Sequence, residues 1–230
     1  MPAAIQLLDG SSVRACVGYP DHSLRGSLQT VAGGVVVLHA WWGLGPDMLA
    51  ACDRLARAGF RAVAPDVFQG RAAATPAEAR RLVDACQPAH ALSVVEAAVS
   101  WLRDRDAAAA PGRGIALLGF SFGAGLALSC AARGLGNAVV VFYGSAPPER
   151  LAGLRVPVLG HFAETDEFEP SVVVTALFDW LRRKGVPATA RTYPGTGHWF
   201  AEPSRPAYDA AATVQAWEAT LAFLRDNLVG

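Results

Sequence analysis

The chain has 230 residues, of which 52% are hydrophobic and 17% are charged, and its twenty basic and twenty acidic side chains cancel. This composition indicates a globular protein, and the length suits one α/β domain over residues 1–230. The zero net charge argues against the broad basic surface that nucleic acids and anionic membranes require.

The N-terminal segment and the cysteines are those expected of a cytoplasmic protein. MPAAIQLLDGSS lacks the basic stretch and apolar core of a secretory signal, and no apolar run reaches membrane-spanning length. The cysteines lie in dissimilar contexts without C-x-x-C spacing, so we expect buried free thiols rather than disulfides or metal ligands. They are Cys16, Cys52, Cys86 and Cys130. No feature distinguishes a monomer from a small homo-oligomer.

The first half of the chain alternates apolar runs with amphipathic segments. VVVLH and FRAVAPD are short runs rich in valine and alanine, typical of buried strands. Thr75-Pro76-Ala77-Glu78 is a capping box with proline at the first helical position, so a helix is predicted to begin there. The other helices predicted in this half cover residues 46–59 and the region that contains Val95, Val99 and Leu102.

The second half continues the alternation. IALLG, NAVVVFYG and VPVLGHF are apolar runs ended by glycine or aromatic residues, and ATARTY is a further predicted strand. Helices are predicted from Ser121 to near Gly134, over residues 171–184, and around Val214, Trp217, Leu221 and Leu224. The expected fold is therefore an α/β, doubly wound and mostly parallel sheet with helices on both faces.

Function in such sheets lies in the loops that follow the carboxyl ends of the strands. Four predicted loops occupy that position: HAWWGLG, GFSFGAG, HFAETDEFEP and PGTGHWF. Three of them hold, in chain order, Ser121, Asp166 and His198. These are the residue types of a nucleophile, an orienting acid and a general base.

GFSFG, residues 119–123, matches the pattern G-x-S-x-G. A nucleophile on a strained strand-to-helix turn needs glycine on either side because no side chain fits there, and the following helix directs its N-terminal amides at the developing oxyanion. A nucleotide-binding loop is the competing interpretation of these glycines. The glycine run of this chain lacks the third glycine of the nucleotide-binding pattern, and no acidic residue ends the next strand. We therefore set the nucleotide-binding interpretation aside.

His198 is the preferred base among five histidines, because it alone lies in a glycine-rich loop after a late strand. His39 and His161 lie within or at the end of apolar strands, where a buried, hydrogen-bonded histidine is expected. His90 precedes a predicted helix, and His22 lies in the polar N-terminal part. Asp166 is the favoured acid, and Glu164 is the alternative. The acidic loop lacks the spacing of a calcium site, so we expect no metal.

Five segments together resemble, in order and spacing, the dienelactone hydrolase family of α/β-hydrolases; they are HAWWGL, APDVFQGR, GFSFGAG, GHFAETDEFEP and GHWFAEPSRPAYDAAA. The resemblance implies an α/β-hydrolase fold without a large lid, and hydrolysis of a carboxylic ester or lactone without a cofactor. It assigns Asp166 and His198 as acid and base, and the backbone amides of Trp41 and Phe122 as the oxyanion hole.

Two departures from the family pattern bear on the chemistry. The best-known members have cysteine where this chain has Ser121, and commonly glutamate where it has Ala40. A thiol must be held as a thiolate, for which a nearby carboxylate is useful, whereas a serine is activated by its histidine during the reaction. A carboxylate beside the oxyanion hole would then only oppose the developing charge, so the two changes belong together.

A third departure concerns the substrate. Members that cleave dienelactone have an arginine shortly after the catalytic histidine, whereas this chain has Glu202 there, which argues against an anionic lactone. Arg71 and Arg205 are possible replacements. The remaining candidates for an apolar acyl or aryl pocket are Trp42, Phe122, Trp199 and Phe200, each of which is also a plausible core residue.

Two other functions are compatible with these residues. The same acyl-serine could transfer its acyl group to an alcohol or amine instead of water. A non-catalytic protein could also keep the fold and bind a hydrophobic ligand, although the complete set of serine, aspartate and histidine argues against this.

Overall fold

The computed structural model describes residues 1–7, 9–20, 31–109 and 112–228. Within these ranges the chain forms eight strands and six α-helices, with a 3-10 helix at Pro148–Leu151. The strands are β1 (Pro2–Gln6), β2 (Ser12–Gly18), β3 (Gly34–Leu38), β4 (Arg61–Pro65), β5 (Ile115–Phe120), β6 (Ala138–Phe142), β7 (Val158–Thr165) and β8 (Ala188–Gly197). The helices are α1 (Pro46–Arg57), α2 (Pro76–Ala85), α3 (Pro88–Ala109), α4 (Phe122–Ala131), α5 (Ser171–Arg183) and α6 (Ala210–Leu228).

All eight strands belong to one sheet, in the order β1-β2-β4-β3-β5-β6-β7-β8. β2 pairs antiparallel with β1 and β4, and the strands from β4 to β8 are parallel. The chain leaves β3 for β4 on one side and then returns to β5 on the other. This reversal opens a crevice at the carboxyl ends of β3 and β5, the usual place for a ligand in such sheets.

The core lies on both faces of the sheet. β3, β4, β5 and β6 are buried at every position, which explains why they appear in the sequence as unbroken apolar runs. Residues of α3, α4 and α5 pack in one apolar cluster, and residues of α1 and α6 pack in a second. The predicted doubly wound sheet with helices on both faces is confirmed.

The capping box predicted at the start of α2 is present. The Glu78 N–H donates to Thr75 Oγ1 at 3.3 Å, and the Thr75 N–H donates to Glu78 Oε2 at 3.2 Å. Each side chain therefore satisfies a backbone amide that has no partner within the helix.

The sheet differs from the prediction at its two edges. β1 and β2 form an antiparallel hairpin that the search for apolar runs did not detect, because exposed and buried residues mix along both strands. β8 continues to Gly197, beyond the predicted ATARTY, through Pro194 and Gly195. Proline is tolerated there because an edge strand does not need every backbone N–H for pairing.

None of the described helices combines the length and apolar character needed to cross a membrane. All four cysteines are unpaired thiols, and three of them are buried. His22 lies outside the described residues.

Candidate active site

Ser121 lies on a sharp turn between β5 and α4. Its φ of 50° is positive, a strained conformation for a residue other than glycine. A Cβ at Gly119 would lie 2.2 Å from the Gly123 carbonyl oxygen, and a Cβ at Gly123 would lie 2.3 Å from the Leu38 carbonyl oxygen. Glycine is therefore required on both sides of the serine because no side chain fits at either position, as the sequence pattern predicted.

Asp166 and His198 reach this turn from the ends of two neighbouring strands, β7 and β8. The Ser121 Oγ lies 3.0 Å from His198 Nε2, and His198 Nδ1 lies 2.7 Å from Asp166 Oδ2. The histidine and aspartate side chains are only 5% and 2% exposed. The structure thus brings together the three residues that the sequence singled out, in one continuous hydrogen-bonded chain.

Both carboxylate oxygens of Asp166 accept hydrogen bonds. Oδ1 accepts from the backbone N–H groups of Phe168, at 2.9 Å, and Glu169, at 3.0 Å, while Oδ2 faces His198. His198 Nδ1 must therefore donate, which leaves Nε2 as an acceptor for the serine hydroxyl. Glu164, the alternative acid, is exposed and instead accepts from the Gly195 N–H at 2.9 Å.

The amides of Trp41 and Phe122 lie on adjoining segments beside Ser121. Phe122 is the first residue of α4, where the helix dipole favours a negative charge, and Trp41 lies in the turn of residues 40–43 after β3. Gly123, in the first turn of α4, packs closely against the backbone of Leu38 and His39, just before the turn that holds Trp41. In the ranges that the structure describes, neither amide N–H donates to another protein group, so both are available for an oxyanion.

An aromatic cluster lies against His198. The ring centroid of Phe168 is 5.0 Å from that of His198 and 5.2 Å from that of Trp199, and Trp41 stacks on Trp199 at 5.9 Å. Phe168 is 42% exposed, so its ring is open to a ligand bound beside His198. Nothing in the local sequence marks Phe168 as a site residue, because it lies within the acidic loop ETDEFEP.

A cavity of about 180 Å³ is lined by Ala40 and its neighbours. It includes three of the predicted pocket residues, Ala40, Trp42 and Glu202, and also Arg205, whose guanidinium lies 4.1 Å above the Trp42 ring. Its other lining residues are Gly43, Gly45, Pro46, Asp47, Met48, Ala72 and Ala73.

Two other predicted pocket residues lie elsewhere. Phe200 is fully buried and packs against Tyr143 and Tyr193, so it belongs to the core, and its predicted contact with substrate is not supported. Arg71 is exposed, and its Nε donates to the Phe68 carbonyl at 3.1 Å. Neither residue lines the cavity.

Glu202 is a buried carboxyl group beside the site. It is 2% exposed, and its Oε1 accepts a hydrogen bond of 2.9 Å from the hydroxyl of Tyr143, whose ring centroid lies 5.0 Å from that of His198. Burial raises the pKa of Glu202 to about 8. The group is therefore mostly neutral at neutral pH, unlike the arginine that some family members have after the histidine.

We expect Glu202 to make stability depend on pH. Because its pKa rises from an ordinary 4.5 to about 8 on folding, the folded state holds the proton more tightly, so stability falls as pH rises between these values. A tenfold difference in proton affinity between the folded and unfolded states corresponds to about 1.4 kcal/mol. When the pH rises from 5 to 8.5, the free energy of unfolding of the wild type should therefore fall by about 2 to 4 kcal/mol more than that of Glu202→Gln.

Urea denaturation at the two pH values measures this difference. Glu218→Gln, at an exposed position of α6, is the matched control and should follow the wild type. Equal pH dependence in the wild type and Glu202→Gln would contradict the expectation.

The other described histidines do not contact the catalytic chain. The ring nitrogens of His161 lie 2.8 Å from the Tyr193 hydroxyl and 2.9 Å from Thr220 Oγ1, as expected for a buried, hydrogen-bonded histidine. His90 contacts Gln69 at the surface. In the described part of the chain, no group of three or more His, Cys, Asp or Glu residues is arranged to hold a metal ion.

Residues 22–228 match the dienelactone hydrolase family. A protein of Aquifex pyrophilus named Protein usf is 29% identical over 206 residues, which cover 85% of this chain and 88% of that protein. A carboxymethylenebutenolidase of a Pseudomonas species is 29% identical over 206 residues, covering 83% of each chain. A solved dienelactone hydrolase-like promiscuous phosphotriesterase from metagenomic libraries has a TM-score of 0.82 at 23% identity, covering 99% of this chain and 98% of its own. This last likeness concerns the fold alone.

Proposed function

The chain belongs to the dienelactone hydrolase family, and on that premise we propose that it hydrolyses a carboxylic ester or lactone through an acyl-serine on Ser121. The observation that carries this proposal is the hydrogen-bonded chain from Ser121 through His198 to Asp166, at 3.0 and 2.7 Å. It lies at the carboxyl ends of parallel strands, where enzymes of this architecture carry out their chemistry.

Acylation begins when Ser121 Oγ attacks the substrate carbonyl carbon and its proton passes to His198 Nε2. The resulting oxyanion is held by the N–H groups of Trp41 and Phe122. The tetrahedral intermediate then collapses: the bond to the leaving oxygen breaks, and His198 returns the proton to that oxygen. An ester releases its alcohol, whereas the hydroxyl of an opened lactone stays attached to the acyl group.

Deacylation repeats these steps with water as the nucleophile. His198 Nε2 takes a proton from water as the water oxygen attacks the acyl-serine, and the proton then returns to Ser121 Oγ as the carboxylic acid leaves. Asp166 holds the Nδ1–H tautomer and the ring orientation throughout, which its two backbone hydrogen bonds support.

The charge around the oxyanion hole suits a serine nucleophile. Ala40 is 2% exposed and brings no carboxylate to the site. Glu202, the buried carboxyl group of the adjoining cavity, is mostly protonated at neutral pH because burial raises its pKa to about 8. Neither of these two residues then adds much negative charge against the oxyanion.

The aromatic cluster of Trp41, Phe168 and Trp199 favours a neutral ester with an apolar acyl or aryl group. Phe168 and Trp199 contact His198, and Trp41 stacks on Trp199. The cluster would therefore contact the acyl group or the leaving group of a substrate bound at Ser121. Aromatic surfaces of this size bind apolar groups strongly because they remove a large area from water.

Covalent labelling tests the nucleophile directly. A fluorophosphonate should add to Ser121 in the wild type and in Ser129→Ala, and peptide mass spectrometry should locate the adduct. Ser129 is a matched serine on α4, and its hydroxyl only donates to the Gly125 carbonyl. An unlabelled Ser121 would favour a ligand-binding protein, and turnover that requires an added alcohol or amine would favour acyl transfer.

A further inference from the structure

His39 is a buried histidine in the turn after β3, outside the catalytic chain. Its Nε2 lies 3.1 Å from the backbone nitrogen of Val67. Because a backbone N–H can only donate, Nε2 must be the unprotonated acceptor, and the ring proton lies on Nδ1. Burial lowers the pKa of His39, which agrees with this neutral tautomer.

The Nδ1–H of His39 donates to the carbonyl oxygen of Ala40 at 2.7 Å. The same oxygen accepts from the Gly43 N–H at 3.2 Å, which closes the turn of residues 40–43. The Ala40 carbonyl and the Trp41 N–H belong to one planar trans peptide unit, so they point in opposite directions. A carbonyl fixed towards the His39 ring therefore fixes the Trp41 N–H on the opposite side.

We propose that His39 is a positioning residue that orients the Trp41 amide for the oxyanion of the reaction. The inference rests on the proposed function, since it assigns a role within that site. His39 itself touches no reacting atom and acts through the Ala40–Trp41 peptide.

The anchor of His39 is itself held in place. Val67 follows Asp66, a 2% exposed carboxylate that accepts from the N–H groups of Phe68, at 3.1 Å, and Gly70, at 2.7 Å. The segment that grips His39 Nε2 is thus fixed by its own hydrogen bonds. A fixed anchor is needed because a donor that must reorient during the reaction stabilises the oxyanion less.

His39 also lies beside the side chain of Phe122, the residue that supplies the second proposed donor. Its ring stacks against Phe122 at a centroid distance of 6.4 Å and packs edge-on against Phe68 at 4.8 Å. Phe122 carries the other N–H of the proposed oxyanion hole. The His39 ring therefore packs beside Phe122 while both its nitrogens hold backbone groups, those of Ala40 and Val67.

The test compares His39→Leu with His39→Asn. The leucine variant loses the donor to Ala40, so its kcat for a p-nitrophenyl ester should fall about 10²-fold with KM nearly unchanged, close to the loss of one oxyanion donor. The amide nitrogen of asparagine lies near the position of Nδ1 and can donate to the same carbonyl. His39→Asn should therefore recover at least tenfold of that loss.

His161→Leu is the matched control, because His161 is an equally buried histidine of the same sheet with two hydrogen-bonded nitrogens. We expect it to lower thermal stability and to keep kcat of the folded fraction close to that of the wild type. A trifluoromethyl ketone, which forms the tetrahedral oxyanion on the serine, should bind His39→Leu about 10²-fold more weakly than the wild type.

Each remaining outcome would overturn the inference. Wild-type kcat in folded His39→Leu, or equal losses in His39→Leu and His161→Leu, would overturn it while leaving the proposed function intact. A ¹⁵N NMR spectrum with the His39 proton on Nε2 would do the same, even if the leucine variant does not fold. A wild-type protein that hydrolyses neither esters nor lactones would overturn both the inference and the proposed function.

Discussion

Ser121→Ala is expected to lower kcat for ester hydrolysis by about 10⁴-fold or more, with the fold intact. The alanine removes the only atom that can form the acyl intermediate, while His198 and Asp166 keep their own hydrogen bond. The amides of the proposed oxyanion hole would still polarise a bound ester, so a small residual rate is expected. Active-site titration and steady-state kinetics on a p-nitrophenyl ester series and on several lactones measure the loss.

Ser129→Ala is the control for this prediction, because it makes the same change on α4 without touching the catalytic chain. Its kcat should stay within about twofold of the wild type. Turnover by Ser121→Ala near the wild-type rate would reject the acyl-serine mechanism and with it the proposed role of this turn.

Asp166→Asn is expected to lower kcat about 10⁴-fold, with little effect on folding. An asparagine has one acceptor oxygen, whereas Asp166 now serves two backbone N–H groups with one oxygen and His198 with the other. If the amide oxygen keeps the backbone bonds, its NH₂ group faces His198 Nδ1. The histidine is then pushed into the tautomer with its proton on Nε2, which cannot accept the serine proton.

Glu164→Gln provides the comparison for Asp166, since Glu164 was the alternative acid from the sequence and hydrogen-bonds Gly195 instead. A loss below about tenfold is expected, from disturbance of the end of β8. A larger loss of kcat in Glu164→Gln than in Asp166→Asn would instead assign Glu164 as the acid that orients His198.

The parallel strands were predictable because burial on both faces leaves a simple trace in the sequence. Val35, Val36 and Val37 are fully buried, and so are Val139 and Val140, so each strand is a continuous apolar run. The hairpin of β1 and β2 leaves no such trace. The extension of β8 beyond Tyr193 was also missed, because pairing with β7 through Gly197, and not side-chain character, determines where that strand ends.

The three residues of the hydrogen-bonded chain Ser121–His198–Asp166 were predictable because each occupies a loop that the parallel topology places at one edge of the sheet. The contacts that support these three residues could not be predicted from the sequence. Tyr143 and Glu202 are 59 residues apart, and nothing in either local sequence indicates their hydrogen bond. For His39, the sequence predicted a satisfied buried histidine, which is correct, but the backbone groups that satisfy it are visible only in three dimensions.

His198, the proposed base, follows a weakly protected strand of the sheet. β8 is an edge strand, only Tyr193 and Thr196 of its ten residues are buried, and His198 follows it directly. Edge segments of this kind open locally at a much lower free-energy cost than the central strands. Mild heat or denaturant would then separate His198 from Ser121 while β3 to β6 stay folded. Loss of activity should precede the melting of the core, and a ligand that bridges the serine and the histidine should delay it.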